Sequence, residues 1–291
     1  MASEALYRKW RSQTFDELVG QEHVVQTLRH AIQTGRIGHA YLFTGPRGVG
    51  KTTMARLLAK AVNCEAPLEQ RPCDQCSMCR AISEGRAVDI IEMDAASHTS
   101  VDDAREIIER VQFRPTLART KVYVIDEVHM LSTAAFNALL KTLEEPPAHA
   151  LFILATTEVH KIPETILSRC QRFTFTRHSV SNIAAHLDHI ATTEGLALEA
   201  GVADRIARAA TGSMRDAISI LDQLMAGSDG MLSLAQTQEL LGATDSGKVA
   251  ALLDALINTD LQTVLQVVNA VADEGAGIPP EILEQVMEPF F

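Results

Sequence analysis

The chain has 291 residues, of which 46% are hydrophobic, 22% charged and only 4% aromatic, so about two globular domains with aliphatic, helix-rich packing are expected. A net charge of −11 argues against a protein that coats nucleic acid nonspecifically, though it leaves room for a local basic surface. No apolar run is long enough to span a bilayer and the first residues lack a signal-peptide pattern, so a cytoplasmic protein with no membrane partner is expected; four of the five cysteines crowd into one segment, which favours metal over disulfides.

Residues 6–21 interleave cations with aromatics: Arg8, Lys9 and Arg11 among Tyr7, Trp10 and Phe15. Such a segment can hold a purine base and its phosphates, or nucleic acid; an arm packed on its own domain is the alternative. Val19, Gly20 and Gln21 read as a turn before a helix over 22–34, with Gly35 as its stop.

Residues 41–44 read as the end of a strand and 54–62 as a helix. Between them Gly45, Pro46, Arg47, Gly48, Val49, Gly50, Lys51 and Thr52, followed by Thr53, spell G-x-x-x-x-G-K-T. Gly45, Gly48 and Gly50 let several N–H groups point into one cavity. Lys51 can reach β- and γ-phosphates, the Thr52 hydroxyl can join the shell of a Mg²⁺ ion, and the helix N-terminus faces the phosphates. The strand–loop–helix setting makes this match specific.

Residues 63–87 break the regular pattern. Cys64, Cys73, Cys76 and Cys79 follow C-x₈-C-x₂-C-x₂-C, which suits a closed, structural, tetrahedral Zn²⁺ site with Cys76 and Cys79 on a tight turn or helix start. Reduced, unliganded cysteines are the alternative.

Residues 88–94 read as a strand buried on both faces, 97–100 as a polar turn and 101–111 as an amphipathic helix. Arg105, Arg110 and Arg114 on or beside it could track a DNA backbone or simply form a solvated face. The apolar strand 121–127 ends in Asp126, suited to the Mg²⁺ side of the phosphates, and Glu127, suited to polarising a water. His129 on the same turn reads as a neighbour of that site or, preferably, as merely covering it. Ser132 can cap a helix over 133–143. Strand 151–157 ends in two hydroxyls, of which Thr156 or Thr157 could sense a γ-phosphate. Pro163 suits the start of a short helix, and Arg169 near its end is either an arginine finger for a neighbouring subunit or a surface arginine. Cys170 is expected to pack internally, before a strand over 172–175.

After Thr176 the strands should stop. Helices over 181–193, 201–210 and 213–225 form a small bundle, and Arg215 opposes the dipole of the third one, which suggests a task such as contacting a γ-phosphate from a lid; an Arg215–Asp216 surface arrangement is the alternative. Further helices are expected over 232–241, 247–257 and 261–271. The expected architecture is α/β: a P-loop domain over 1–178 with a parallel sheet flanked by helices and a zinc module at about 63–87, a helical lid over 179–242, and the beginning of a third helical domain over 243–291, which the resemblance given next would make partial collar helices.

With these pieces in place, the chain resembles the γ/τ family of bacterial DNA polymerase III, the AAA+ ATPase motor of the sliding-clamp loader. The resemblance spans roughly residues 4–270 and rests on segments 7–11, 45–52, 124–129, 139–147, 155–157, 168–170 and 212–216 and on the four cysteines. It implies ATP, Mg²⁺ and structural Zn²⁺ as cofactors, and a ring-like pentamer with delta, delta prime and further gamma/tau copies. ATP binding would let the ring open a clamp and grip primer-template DNA near the nucleoid, and hydrolysis, stimulated by DNA and clamp, would release it. Carried over, Lys51 and Thr52 hold phosphates and metal, Asp126 is the metal acid and Glu127 the water activator. Thr157 or Thr156 looks like sensor 1, Arg215 like the sensor-2 arginine and Arg169 like the finger that completes the next subunit's site. Tyr7, Arg8, Arg11, Val19 and Gly20 match the base-binding region, and the helix carrying Arg105 matches the region facing DNA.

Two departures stand out. Ser12 occupies a position where the family has proline. The tail, 273–279 and 288–291, looks like two boxes of the ATP-binding domain of sensor histidine kinases instead of collar, which reads as a chance match or a fusion or truncation junction. The rival readings are a non-hydrolysing scaffold subunit, disfavoured by the intact P-loop and acid pair, and another AAA+ DNA motor such as a branch-migration helicase, disfavoured by the cysteine insert. No constellation of carboxylates for nucleotidyl transfer is visible.

Overall fold

Five segments line up in parallel as one sheet: β1 (Ala40–Thr44), β2 (Ile90–Asp94), β3 (Lys121–Asp126), β4 (Ala150–Thr156) and β5 (Gln171–Thr174), in the spatial order β2-β3-β4-β1-β5. The computed structural model describes residues 5–97, 101–228, 230–241, 253–258, 262–264 and 266–267. The chain divides into two units, one running to Ser233 and one starting at Leu234.

Side chains along a strand alternate between faces, and both faces of this sheet are covered. Tyr41, Phe43, Val122, Val124, Leu151 and Ile153 meet α2 (Glu22–Gln33) and α3 (Lys51–Asn63) through Leu28, Ile32, Met54 and Leu58. Leu42, Tyr123, Ile125, Phe152 and Leu154 meet α5 (Val101–Val111) and α6 (Thr133–Glu144) through Ile107, Phe136 and Leu139. Tyr123 stacks on Phe152 with centroids 5.3 Å apart. As the sequence implies, Ser132 caps α6, its Oγ accepting from the Ala135 N–H at 3.2 Å. Gly35 takes a left-handed φ of 67° just past α2.

One expectation about the sheet is corrected. β2 is not buried on both faces: it is an edge strand with no fully buried residue, and Val88 before it is 66% exposed. An Ile/Val run reports apolarity and not how many neighbours a strand has.

The loop between α5 and β3 is fixed by two buried side chains. Asp89 accepts N–H bonds from Thr116 (2.8 Å), Leu117 (2.7 Å) and Ala118 (2.9 Å), and Asn63 Oδ1 accepts from Arg119 (3.0 Å) and Thr120 (2.8 Å). Burial alone would raise the Asp89 pKa, but the three N–H bonds outweigh it and the carboxyl lies below its usual range. Asp89→Ala should destabilise the fold by about 3 kcal/mol in denaturant titrations. Because the folded-state pKa is depressed, this contribution is present above the ordinary carboxylate pKa. It fades as the pH falls through the depressed value, and the variant should lose that part of the acid dependence.

Beyond β5, α8 (Val180–Glu194), α9 (Val202–Ala209) and α10 (Met214–Ala226) form a helical bundle. Ser179 and Ser213 cap α8 and α10, their Oγ atoms accepting from Asn182 at 3.1 Å and Asp216 at 3.3 Å. Strands do not stop at Thr176: β6 (Ala197–Leu198) and β7 (Met231–Leu232) pair in parallel, and two residues are too few to show a period of two in a sequence.

The short helix α1 (Leu6–Lys9) rests on this bundle. The Leu6 N–H donates to Asp222 at 3.0 Å, Trp10 Nε1 donates to Glu194 at 2.7 Å, and Lys9 pairs with the same carboxylate at 2.7 Å. Lys9 first, then Trp10, holds the Glu194 carboxyl below its usual range.

In the second unit, α11 (Leu234–Leu240) and residues 253–257 are helical. The expected helices over 247–257 and 261–271 lie only partly within the described residues, as does the turn at 97–100. The segment 273–291 lies outside them.

Candidate functional site

Parallel strands bring their carboxyl ends to one edge, and three of them supply chemistry there. β1 leads into Gly45, β3 into Glu127, and β4 into Thr157, with Thr44 beside Thr156 and Asp94 beside Asp126. Above this edge lies a cleft of about 430 Å³, walled by Arg47 to Thr53, Asp126 and Glu127, by Tyr7, Trp10, Arg11 and Val19 of the N-terminal arm, and by Met214, Arg215 and Ile218 of α10.

The loop between β1 and α3 touches the bundle directly. Gly48 (φ 75°) accepts at its carbonyl from the Met214 N–H at 3.2 Å, and a Cβ added there would come within 1.9 Å of Ser213 Oγ. A Cβ at Gly45 would meet the Phe175 carbonyl at 2.3 Å, so both positions require glycine for space as well as for φ. The helix starts earlier than its apolar pattern suggests: Lys51, Thr52 and Thr53 form the first turn of α3, because polar residues there carry no periodic signal.

Lys51 is 6% exposed and donates to the Gly45 (2.8 Å) and Pro46 (2.7 Å) carbonyls. Burial lowers its pKa, while Glu127 and Asp126 act in the opposite sense. The Thr52 hydroxyl donates to Asp126 Oδ2 at 2.6 Å, and the Glu127 N–H donates to Oδ1 of the same carboxylate at 2.9 Å. Glu127 has a left-handed φ of 46°, and its Oε2 accepts from the Thr157 hydroxyl at 2.9 Å and the Thr157 N–H at 3.2 Å.

The two candidate threonines therefore have different surroundings. Thr157 faces Glu127. Thr156 is fully buried, and its Oγ1 accepts from the Glu158 N–H at 3.0 Å and lies 2.9 Å from His129 Nδ1. His129 does more than cover the site. Its Nδ1 stands 3.3 Å from Glu127 Oε2, a contact that a sequence does not show because it depends on how the chain turns after β3.

Arg215, in the first turn of α10, places its guanidinium 4.7 Å from the Tyr7 ring centre, and both residues line the cleft. Arg8 and then Arg215 lower the Tyr7 pKa against the opposing effect of burial. Of the five arm residues singled out in the sequence, Tyr7, Arg11 and Val19 line the cleft. Arg8 stands behind the Tyr7 hydroxyl at 3.2 Å, and Gly20 packs under His178, where a Cβ would come within 2.7 Å of the ring. The arm is thus both packed on its own chain and part of the cleft wall.

Arg169 lies away from the cleft, just past α7 (Glu164–Leu167). It donates to the Thr165 carbonyl at 2.6 Å and the Ser168 hydroxyl at 3.1 Å, and it pairs with Glu144. Arg110 pairs with Glu106 along α5 at 2.5 Å, as in a solvated face. Cys170 packs against the core on the α5/α6 side, and burial pushes its thiol up to about 11.

The sulfurs of Cys64, Cys73, Cys76 and Cys79 lie within 4.8 Å of one another. A tetrahedral Zn²⁺ with Zn–S bonds of about 2.3 Å separates its sulfurs by about 3.8 Å, so the four fit that ion. Cys76 sits at the N-cap of α4 (Ser77–Ser83), and N–H groups of Cys73, Cys76 and Cys79 each point at the sulfur of an earlier cysteine at 3.4 Å. Against the effect of its burial, N–H bonds from Gln75 and Cys76 draw the Cys73 thiol down to about 7, whereas burial pushes Cys64 and Cys79 up. The module is tied to the arm: the Ser83 hydroxyl bonds Gln13 at 3.1 Å, and the buried Lys60 donates to the Gln13 carbonyl at 2.9 Å and pairs with Asp74.

Family models of DNA polymerase III match the chain in three consecutive stretches. "DNA polymerase III, delta subunit" matches residues 20–179, "DNA polymerase III clamp loader subunit, ATPase lid domain" matches 182–230, and "DNA polymerase III subunits gamma and tau domain III" matches 232–288; the last stretch takes in 273–279, which corrects the expectation that the tail there departs from the family. The chain is 49% identical over 275 residues to DNA polymerase III subunit tau of Salmonella typhimurium, covering 94% of this chain and 43% of that one. It is 46% identical to subunit tau of Bacillus subtilis (99% and 51%) and 43% identical to subunit gamma of Buchnera aphidicola subsp. Schizaphis graminum (94% and 76%). The chain therefore spans about half or less of the tau relatives and three quarters of that gamma relative. Among solved structures it is similar to the Thermotoga maritima RuvB Holliday junction branch migration motor, with a TM-score of 0.60, 21% identity and coverage of 96% and 91%. At that identity the likeness speaks for the fold alone.

Proposed function

Because this chain belongs to the gamma/tau family of DNA polymerase III clamp-loader subunits, we propose that it is an ATP-hydrolysing motor subunit that loads a sliding clamp onto primed DNA. The observation that carries the proposal is the convergence at one sheet edge of Lys51, the Thr52–Asp126 contact of 2.6 Å, and Glu127.

ATP lies along the P-loop in this reading. N–H groups of residues 45–52 and the α3 N-terminus bind its phosphates, Lys51 reaches the β- and γ-phosphates, and Tyr7, Arg11 and Val19 flank the base, with Arg8 and Gly20 supporting them. Thr52 and Asp126 would hold Mg²⁺, which supplies charge neutralisation at the phosphates. Glu127 polarises the attacking water, Thr157 orients Glu127 as sensor 1, and Arg215 reaches the γ-phosphate from the lid. Arg169 serves the next subunit's site. Zn²⁺ at the four cysteines is structural. The partners are delta, delta prime and further gamma/tau copies, the clamp and primer-template DNA, in the cytoplasm. The limits of motor, lid and collar near residues 178 and 242 belong to the same reading. No helix among the described residues is long and apolar enough to cross a membrane.

The testing measurement is ATPase rate against protein concentration, with and without partner subunits, clamp and primed DNA. A specific rate that climbs with concentration and partners is expected, because Arg169 acts in trans. A rate that ignores both, or a chain that moves branched DNA without binding a clamp, would overturn the assignment.

A further inference from the structure

Residues 127–131 fold back on themselves as soon as β3 ends. Glu127 takes its left-handed conformation, Val128–Met130 make a single 3₁₀ turn, and the Met130 N–H returns to the Glu127 carbonyl at 2.9 Å. Val128 is fully buried and pins the turn. This geometry swings the ring of His129 back alongside the Glu127 carboxylate, where its side chain is 6% exposed.

The ring is held from both sides. Nδ1 lies 2.9 Å from Thr156 Oγ1 and 3.3 Å from Glu127 Oε2, and Nε2 lies 3.2 Å from Glu158 Oε1. Glu158 is itself fixed, its N–H bonded to Thr156 at 3.0 Å and its carboxylate to Lys161 at 2.8 Å. Contacts at both ring nitrogens favour this one orientation of the ring. It contacts the same Glu127 oxygen as Thr157 does, so these contacts gather on Oε2.

We propose that His129 is a positioning residue for Glu127: together with Thr157 it fixes the carboxylate so that one oxygen is occupied and the other faces the water that attacks the γ-phosphate. The inference rests on the ATPase reading above. A base that must polarise a water works only when held in line, and a free glutamate samples several rotamers. His129 does not line the cleft, so its loss acts on turnover and not on nucleotide binding.

The test uses the chain assembled with its clamp-loader partners, as wild type, His129→Ala, His129→Asn, Glu127→Gln and the His129→Ala/Glu127→Gln double variant. Single-turnover hydrolysis, KM, the Kd of a non-hydrolysable ATP analogue and the melting temperature are read for each. His129→Ala should lower the hydrolysis rate about 10- to 100-fold, with KM, Kd and melting temperature near wild type. His129→Asn, which keeps a donor near Nδ1, should recover part of the rate. In the Glu127→Gln background His129→Ala should add nothing, because the carboxylate it positions is already lost. An unchanged rate for His129→Ala overturns the inference, and so does a loss that persists in full without Glu127 or one that tracks nucleotide affinity or melting. A wild type without turnover, or one indifferent to Glu127→Gln, overturns the ATPase reading instead, and this inference with it.

Discussion

A Lys51→Ala chain should turn over ATP about 10²- to 10³-fold more slowly than the parent, the loss typical of removing one charge-stabilising donor from a transition state. The side chain is nearly buried, its Nζ donates to the Gly45 and Pro46 carbonyls, and the Asp126 and Glu127 carboxylates favour its charged form against burial. No other ammonium lines the cleft wall among the described residues; the remaining cations there are the guanidinium groups of Arg11, Arg47 and Arg215. Arginine at residue 51 would keep the charge but not the compact point donor, so Lys51→Arg should fall well short of wild type. Nucleotide affinity measured by titration should weaken in parallel, and the melting temperature should stay close to that of the parent. A Lys51→Ala chain with normal ATPase would move the active site elsewhere.

Arg169→Ala should leave ATP binding by the isolated chain untouched and lower turnover of the assembled complex about 10³-fold, the scale of an arginine finger. Arg169 is not part of its own chain's cleft wall, and its guanidinium meets Glu144, Ser168 and the Thr165 carbonyl. A part-exposed pair of this kind contributes about 0–1 kcal/mol, so the guanidinium can leave it when a neighbour offers phosphate. Mixing separates trans from cis. Chains carrying Arg169→Ala and chains carrying Lys51→Ala are each nearly inactive, but in a mixed ring an intact Lys51 site can sit beside an intact Arg169. Recovery of part of the activity on mixing is the expected outcome. No recovery, with assembly confirmed by light scattering, would count against a role across the interface.

Much of the site is legible in the sequence because its chemistry is local. The eight residues 45–52 specify their own loop and helix start, the four cysteines fall within 16 positions, and Asp126 and Glu127 close one apolar run. What is not legible depends on distant pairing. Thr157 meets Glu127 because β4 runs beside β3 in a register that sets Ile125 against Leu154, and no spacing rule distinguishes Thr157 from Thr156 beforehand. The approach of His129 to Glu127 follows from one left-handed residue. The edge position of β2 follows from strand order, which local hydrophobicity does not encode. The arm beginning at Leu6 reads in isolation as aromatic and basic; only the bond to Asp222 shows which surface it occupies.

That bond joins residues 216 positions apart, and the cleft has one wall from each end of the interval. On a ribosome adding about 5 to 20 residues per second, the arm emerges roughly 10 to 40 s before the helix that receives it. During that time β1 also waits for β4 and β5, the two strands it pairs with, and Leu6 has no Asp222 to bond. The arm is made well before the surface that receives it, and the cleft gains its second wall only when α10 has been made and has folded.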